Sequence, residues 1–445
     1  MEIKDFFITP VFIIIVYALA FFIRPFVTEK SNKRYFIPGL SLKIFGALAL
    51  GLIYQFYYGG GDTYTYFNLG SKYIWEAFKD SPVLAVKLIF AGRDYVGDTF
   101  EYASKIYTYG DPSSYFVVRV AGVLDILTFH TYSATAVLFA FISFSGLWAL
   151  FHVFYRMYPK LHLHLALAIF FVPSVFFWGS GILKDSITIG ALGWSMYAVY
   201  YIMIARKHVI VAVVLLFISL FTLYTIKLYI LLCFLPTSIL WIAYTRMGKV
   251  KNLMLRIMVA PIILTLAGIG GYYSIIKVAE NNPRYNIETI AETAEETARW
   301  IHYVSQREQG SAYSLGDFDY SPAGMVRKFP LAVWVTLYRP YLWESHNIVM
   351  LFSALESFTL LLFTLYVFYK VGFTRVFGHI TSKPILTFCF VFAIIFSFAV
   401  GITTHNFGTL VRYKIPMYPF FVSGLFILLS YSKKERKSRK FELRE

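Results

Sequence analysis

Four short polar runs carry the residue types that can do chemistry in an otherwise apolar chain. They are Gly59-Gly60-Gly61-Asp62-Thr63-Tyr64, Gly179-Ser180-Gly181-Ile182-Leu183-Lys184-Asp185-Ser186, Tyr338-Arg339-Pro340-Tyr341-Leu342-Trp343-Glu344 and His405-Asn406-Phe407-Gly408-Thr409-Leu410-Val411-Arg412-Tyr413-Lys414. Together they offer carboxylates, ammonium and guanidinium groups, an imidazole and flat aromatic rings. That set suits a substrate that is both anionic and rich in hydroxyls.

Three glycines before Asp62 let the backbone turn sharply and approach a ligand closely. A carboxylate held near lipid is costly unless it is solvated or partnered, so Asp62 is the first candidate for a general base and His405 the second. Tyr64, Tyr66 and Phe67 offer faces for sugar rings, although a helix-ending turn with an interfacial tyrosine belt would use the same residues. Asp185 or Ser186 can cap the helix that follows. Lys184 sits at the helix end whose dipole disfavours a cation, so it calls for a nearby carboxylate or a substrate phosphate. Arg339, five residues before Glu344, can set a guanidinium against phosphate oxygens through two parallel bonds, or snorkel within an aromatic anchor. Arg412 and Lys414 open the last apolar run from its cation-poor side, which an anionic ligand explains more simply than anchoring does.

Glu356, Lys227 and Asp125 fall within or beside apolar stretches, where ionisable groups are functional candidates and helix-to-helix ion pairs serve equally well. His162 and His164 lack further ligands at metal spacing, so no metal site is expected. Cys233 and Cys389 lie in different apolar runs and imply neither a disulfide nor a metal cluster.

The elements that must position these groups follow from composition. Hydrophobic residues make up 58% of 445 positions, only 15% are charged, and mean hydropathy is +0.61. Such a chain is an all-α, polytopic integral membrane protein, and apolar runs at 10–28, 41–58, 132–155, 161–178, 186–205, 209–225, 228–245, 257–276, 347–369, 385–402 and 415–432 predict about 11 transmembrane helices. The net charge of +16 is explained by orientation rather than by nucleic acid. With the N-terminus outside and the C-terminus cytoplasmic, segments 24–43, 156–162, 206–208, 246–256, 370–383 and 433–445 hold 23 Lys and Arg in 68 residues. The outer segments 59–115, 179–185, 225–228, 277–346 and 403–414 hold 16 in 150. All four polar runs then face the same, extracytoplasmic side.

The start Met1-Glu2-Ile3-Lys4-Asp5 lacks a basic n-region, so the first run reads as a retained span. The chain reads as a single membrane domain, 1–445, with a first outer loop at 59–131, a second at 277–346 and a basic tail at 433–445. The first loop predicts short interfacial helices at Ile74–Lys79 and Val83–Phe90 and a re-entrant or interfacial helix over 116–131. In the second, Glu288, Glu292, Glu295 and Glu296 have helical spacing, with Ile290, Ala294, Trp300, Ile301 and Val304 as the packed face. This helix is a solvated strut or a lid over a site at the membrane surface.

The Asp62 loop, the many spans and the basic last outer loop resemble the GT-C superfamily of polyprenyl-phosphate-sugar glycosyltransferases. Asn406 to Tyr413 running into Pro416, with Tyr338-Arg339-Pro340, resembles O-antigen and exopolysaccharide polymerases of the Wzy/EpsG type, as does the large loop at 277–346. The motifs cover about 40 residues, and Asp62 follows the second span whereas the GT-C aspartate usually follows the first. The resemblance implies sugar transfer or polymerisation outside the bacterial inner (cytoplasmic) membrane, with a polyprenyl phosphate or diphosphate leaving. Arg412, Arg339, Lys184 and Lys414 would then stabilise the departing phosphate, and the expected partners are a polyprenyl-linked sugar or oligosaccharide, the lipid bilayer and other envelope-polysaccharide proteins. No nucleic acid and no cofactor are expected; a divalent cation is left open because one carboxylate is too few to argue from.

Two other classes fit the same composition. A transporter or flippase of a lipid-linked or anionic substrate would also carry intramembrane charges, usually with two similar halves and broken helices, and no such halves are evident. A non-catalytic envelope assembly subunit would use the rim motifs as protein contacts.

Overall fold

The computed structural model describes residues 2–90, 97–248 and 313–442 apart from 317 and 318, with scattered positions between 269 and 303. The structure is all-helical, and nine of the described helical segments are long and apolar enough to cross a membrane: Ile3–Val27, Lys33–Tyr57, Tyr132–Met157, Lys184–Ala205, Val209–Ile226, Leu228–Met247, Ile348–Val371, Pro384–Thr403 and Phe407–Ser432. Most of the expected run at 257–276 lies outside the described residues, as do Glu288, Ile290, Ala294, Ile301 and Val304 of the expected acidic helix. Within that helix Glu295 pairs with Arg299.

Two compact units make up the chain. One holds Met1–His162, Ile169–Tyr200 and His208–Lys227; the other holds Leu163–Ala168, Tyr201–Lys207 and Leu228–Glu445. In the first unit, α1 (Ile3–Val27) and α2 (Lys33–Leu52) pack on α8 (Tyr132–Met157), which also packs on α11 (Lys184–Val199), and α11 on α12 (Val209–Ile226). Between α2 and α8 come α3 (Asp62–Tyr66), α4 (Lys72–Asp80), α5 (Pro82–Phe90), α6 (Phe100–Ala103) and α7 (Pro112–Thr128). The last four of these bury Ile74, Ala77, Ala85, Leu88, Tyr102, Ala103, Val118 and Ala121 against one another. Helices thus form at both expected positions, α4 and α5, and place Ile74, Ala77, Ala85 and Leu88 in a shared core.

The run 161–178 is not one helix. It divides into α9 (His162–Phe170) and α10 (Pro173–Trp178) because Pro173 disfavours helical geometry in the residue before it and brings no N–H of its own. Segment 277–346 is not wholly loop either. A 17-residue helix, α14 (Pro322–Tyr338), packs on α17 (Pro384–Thr403), and Thr336 donates to the Ser397 carbonyl at 2.7 Å. Arg327, Lys328 and Pro330 had shortened its apolar run below spanning length. In this second unit α13 (Leu228–Met247) and α19 (Tyr418–Glu442) also pack on α17, α19 packs on α15 (Ile348–Val371), and α16 (Phe373–Ser382) follows α15.

Without a hydrophobic effect between helices in lipid, close van der Waals approach holds them, and small residues permit it. Gly146 of α8 meets Gly190 and Gly193 of α11 backbone to backbone, and a Cβ on Gly146 would lie 2.0 Å from the Gly190 carbonyl oxygen. Gly146→Val is expected to destabilise the protein by about 1–3 kcal/mol, read as a lowered thermal unfolding midpoint in detergent, whereas Phe217→Leu on the exposed face of α12 leaves the midpoint nearly unchanged.

Candidate functional site

The three glycines build the first candidate site. Gly59, Gly60 and Gly61 all have positive φ (68°, 142° and 126°), and a Cβ on Gly61 would lie 2.6 Å from the Tyr54 ring. Only glycine follows this path without strain, and it carries the chain from the end of α2 into α3. Asp62 opens α3 and is exposed.

Beside that turn is a cleft of about 330 Å³ lined by Glu2, Lys4, Asp5, Gln55, Gly59, Gly60, Tyr64, Phe67, Asn68 and Tyr132. The Tyr64 and Tyr132 rings stack at 4.3 Å and 14°. Tyr64 donates to the Gln55 side-chain oxygen at 3.1 Å and to the Gly51 carbonyl at 3.2 Å, and Thr63 and Tyr132 share a hydroxyl bond of 2.8 Å. Burial, with the Asp5 carboxylate adding to it, raises the Tyr64 hydroxyl pKa above the ordinary phenol value, so it stays a donor at neutral pH. Asp5 is 5% exposed and accepts from the backbone N–H groups of Ser133 at 2.8 Å and Glu2 at 2.6 Å. Its carboxylate therefore ties α1 to the first turn of α8, at the dipole end that favours negative charge. Glu2 and Lys4 pair at 3.2 Å with exposed carboxylate and partly exposed ammonium. The cleft thus combines aromatic faces, two side-chain amides, two carboxylates and one cation, within the size of ligand sites generally.

Of the residues singled out in sequence, Gly59, Gly60, Tyr64 and Phe67 line this cleft; Tyr66 is buried in the core. Glu2, Lys4, Asp5, Gln55, Asn68 and Tyr132 were not singled out from sequence. A signal was present, since Glu2, Lys4 and Asp5 stand directly before a long apolar run, where charges are expensive. Asp125 and His130 lie behind the cleft wall. The fully buried Asp125 accepts from Thr135 at 2.6 Å and pairs with His130 Nδ1 at 3.0 Å, and the His130 ring stacks at 4.1 Å on Phe67, a cleft residue.

The second polar run, in the same unit, is held by internal ion pairs. Lys184 donates to Ser113 at 2.6 Å and to the Asp111 carboxylate at 3.4 Å. Asp111 is also the N-cap of α7, accepting from the Ser113 and Ser114 N–H groups. The carboxylate that Lys184 calls for is thus supplied by the protein. Asp185, buried in the first turn of α11, pairs with Lys227 at the C-terminus of α12, so each charge sits at the helix end whose dipole favours it. The N-cap position of α11 is Leu183, without a side-chain cap bond.

The third and fourth runs belong to the second unit and touch each other there. Arg339, the C-cap of α14, forms a bidentate pair with Glu344: Nε donates to Oε2 at 3.1 Å and Nη2 to Oε1. Glu344 accepts from the Tyr341 N–H at 2.8 Å as well. The guanidinium lies 4.9 Å from the Phe407 ring centroid, and over the Tyr313 and Tyr341 rings. Asn406 caps α18 (Phe407–Tyr413), accepting from the Thr409 N–H at 3.1 Å. His405 is buried, shares a 3.3 Å bond with Tyr320 and stacks parallel to Tyr313. Arg412 lies half-buried at the end of α18. Lys414, completely buried, donates at 2.9 Å to both the Arg339 carbonyl and Ser357. The bidentate geometry expected for Arg339 on phosphate is here made on Glu344.

Among the described residues no group of three His, Cys, Asp or Glu side chains is placed to hold a metal. Comparison with family models, with curated proteins and with solved structures gave no match. Fold and residues carry the functional argument.

The burial of Asp111, which alone would raise its pKa, is outweighed by bonds from Ser114 and Ser113 and by the Lys184 ammonium, and its pKa is lowered to about 2. A depressed carboxylate stabilises the fold above its unfolded value of about 3.9 and loses that contribution as pH falls through about 2. Asp111→Asn, which keeps the cap, is expected to remove this segment of the pH–stability curve. Asp111→Ala also loses the cap, at about 1 kcal/mol; both are read by unfolding at pH 7 and pH 3. At Arg339, alanine strands the Glu344 carboxylate and is expected to cost about 1–3 kcal/mol. Lysine recovers only part of that, having one point of attachment where the guanidinium has two, and thermal melts at neutral pH rank the three proteins.

Proposed function

We propose that the chain transfers glycosyl groups from a polyprenyl-phosphate-linked donor, or polymerises such units, at the extracytoplasmic face of a bacterial inner membrane, with its N-terminus outside. The reading is supported above all by the cleft beside Gly59–Tyr64. Sugars stack apolar ring faces on aromatics such as Tyr64 and Tyr132 while their hydroxyls bond to amides such as Gln55 and Asn68. The cleft lies at the ends of apolar helices, where the head of a lipid carrier would arrive with its tail still in hydrocarbon.

The chemistry follows from the lining. The acceptor hydroxyl attacks the anomeric carbon, its proton passes to a carboxylate, and the carbon–oxygen bond to phosphate breaks. Glu2 is the exposed carboxylate of the cleft and Asp62 the exposed carboxylate of the turn beside it; one of them receives the proton. Negative charge grows on the departing phosphate, and a nearby cation stabilises it more in the transition state than in the ground state. Lys4 has that role. Asp5 holds α1 on α8 and so positions Glu2 and Lys4 at the cleft.

A second reading, transport or flipping of a lipid-linked or anionic substrate, is favoured by one observation, the interruption between α9 and α10. Discontinuous helices are a common setting for substrate and ion sites in transporters.

Deletion of the gene followed by profiling of surface polysaccharide and lipid-linked intermediates tests both. The proposal expects loss of polymer with accumulation of lipid-linked sugar, restored by the wild-type gene. Tyr64→Ala, Asn68→Ala and Lys4→Ala should restore tenfold less or worse, while the purified protein forms new glycosidic bonds from a polyprenyl-linked donor. Accumulation of donor without bond formation by the purified protein selects transport. Full restoration by all three cleft variants would remove the cleft as the site.

A further inference from the structure

Lys43 stands well inside the apolar segment Lys33–Tyr57 and is 1% exposed. Its ammonium donates to Ser143 Oγ at 3.0 Å, Val175 O at 3.1 Å and Gly179 O at 2.6 Å, so its three protons meet three oxygens. Among the described residues no carboxylate forms an ion pair with it. A buried charge normally requires an opposite charge; here it has only dipoles.

Those dipoles are arranged for a cation. Val175 and Gly179 carry carbonyls at the C-terminal end of α10, the negative end of a helix, and they are available because α10 ends at Trp178 with Gly179 as its C-cap. Ser143 Oγ donates its own proton to the Gly179 oxygen at 2.7 Å, which directs its lone pairs to the ammonium. The cage is rigidly walled: Gly46, one turn from Lys43 on α2, lies so close to α10 that a Cβ would be 2.0 Å from the Phe176 carbonyl oxygen. Fixed carbonyl and hydroxyl oxygens without net charge are what protein sites for alkali cations are made of. Lys414 has a similar carbonyl and serine pair, but the Glu356 carboxylate also acts on it electrostatically, so dipoles are not all that faces it.

We propose that Val175 O, Gly179 O and Ser143 Oγ form a monovalent-cation site within the membrane body, occupied in this chain by the Lys43 ammonium, which frees the broken helix from dependence on Na⁺ or K⁺. The proposal is independent of the glycosyl-transfer reading. Full-length wild type, Lys43→Ala and Lys43→Met are purified in detergent and melted in sodium, potassium or N-methylglucamine chloride at equal ionic strength. The wild-type midpoint is expected to be the same in all three salts. Lys43→Ala should melt several degrees lower in N-methylglucamine and recover at least half the loss, saturably, in sodium or potassium; Lys43→Met, which fills the space with an apolar chain, should not recover. Equal melting of Lys43→Ala in every salt would overturn the proposal. If that variant is too unstable to melt, the yield of monodisperse protein on size exclusion replaces the midpoint: a peak in alkali salt alone supports the site, and aggregation in every salt sinks it.

Discussion

A peptide group that leaves a helix inside an apolar body must find a hydrogen bond within the protein, because lipid offers none. This chain meets that requirement in the same way twice. A buried lysine and a serine converge on the carbonyl that ends a helix: Lys43 and Ser143 on Gly179 O in the first unit, Lys414 and Ser357 on Arg339 O in the second. In each triad the lysine also bonds the serine, so all three groups are satisfied together. The ends of α10 and α14 are tolerable because of them.

The same economy governs the polar runs. Lys184 is matched by Asp111, Asp185 by Lys227 and Arg339 by Glu344, each within its own unit. These pairs join one helix terminus or turn to another, where dipoles add to the ionic attraction. Groups that looked like a ready anion site in sequence are therefore largely committed to holding helix ends. The cleft beside Gly59 differs in kind. Its amides, rings and the exposed Glu2–Lys4 pair present polar atoms to a cavity, and so it, rather than the basic rim, carries the functional argument.

The helical architecture was legible because apolar length is an unambiguous signal in a chain this hydrophobic; nine of the expected spans stand close to where the apolar runs placed them. The exceptions have local causes. Pro173 split a run of adequate length, and Arg327, Lys328 and Pro330 disguised α14 as loop. Residue chemistry was legible for types and not for partners. The requirement of Lys184 for an anion could be read from its place at a helix start, but Asp111 lies 73 residues away and nothing in a single sequence links them. The cleft was half visible, as Gly59, Gly60 and Tyr64. Its other wall comes from Glu2, Lys4 and Asp5 and from Tyr132, contributed by helices whose adjacency only the folded chain defines. Lys43 was counted as a loop charge because it falls at the edge of an apolar run, whereas its side chain reaches inward to α10.

The bond from Asp5 to the Ser133 N–H spans 128 residues and has a consequence for how this protein is made. Helix α1 leaves the ribosome long before α8 exists, so through most of synthesis its carboxylate has no cap to fill and must stay hydrated at the membrane edge. Many of its outward side chains, Phe6, Phe7, Phe22 and Phe26 among them, remain uncovered by protein in the finished unit. Helix α1 therefore waits for α8, and for the whole segment between them, before this bond can fasten it.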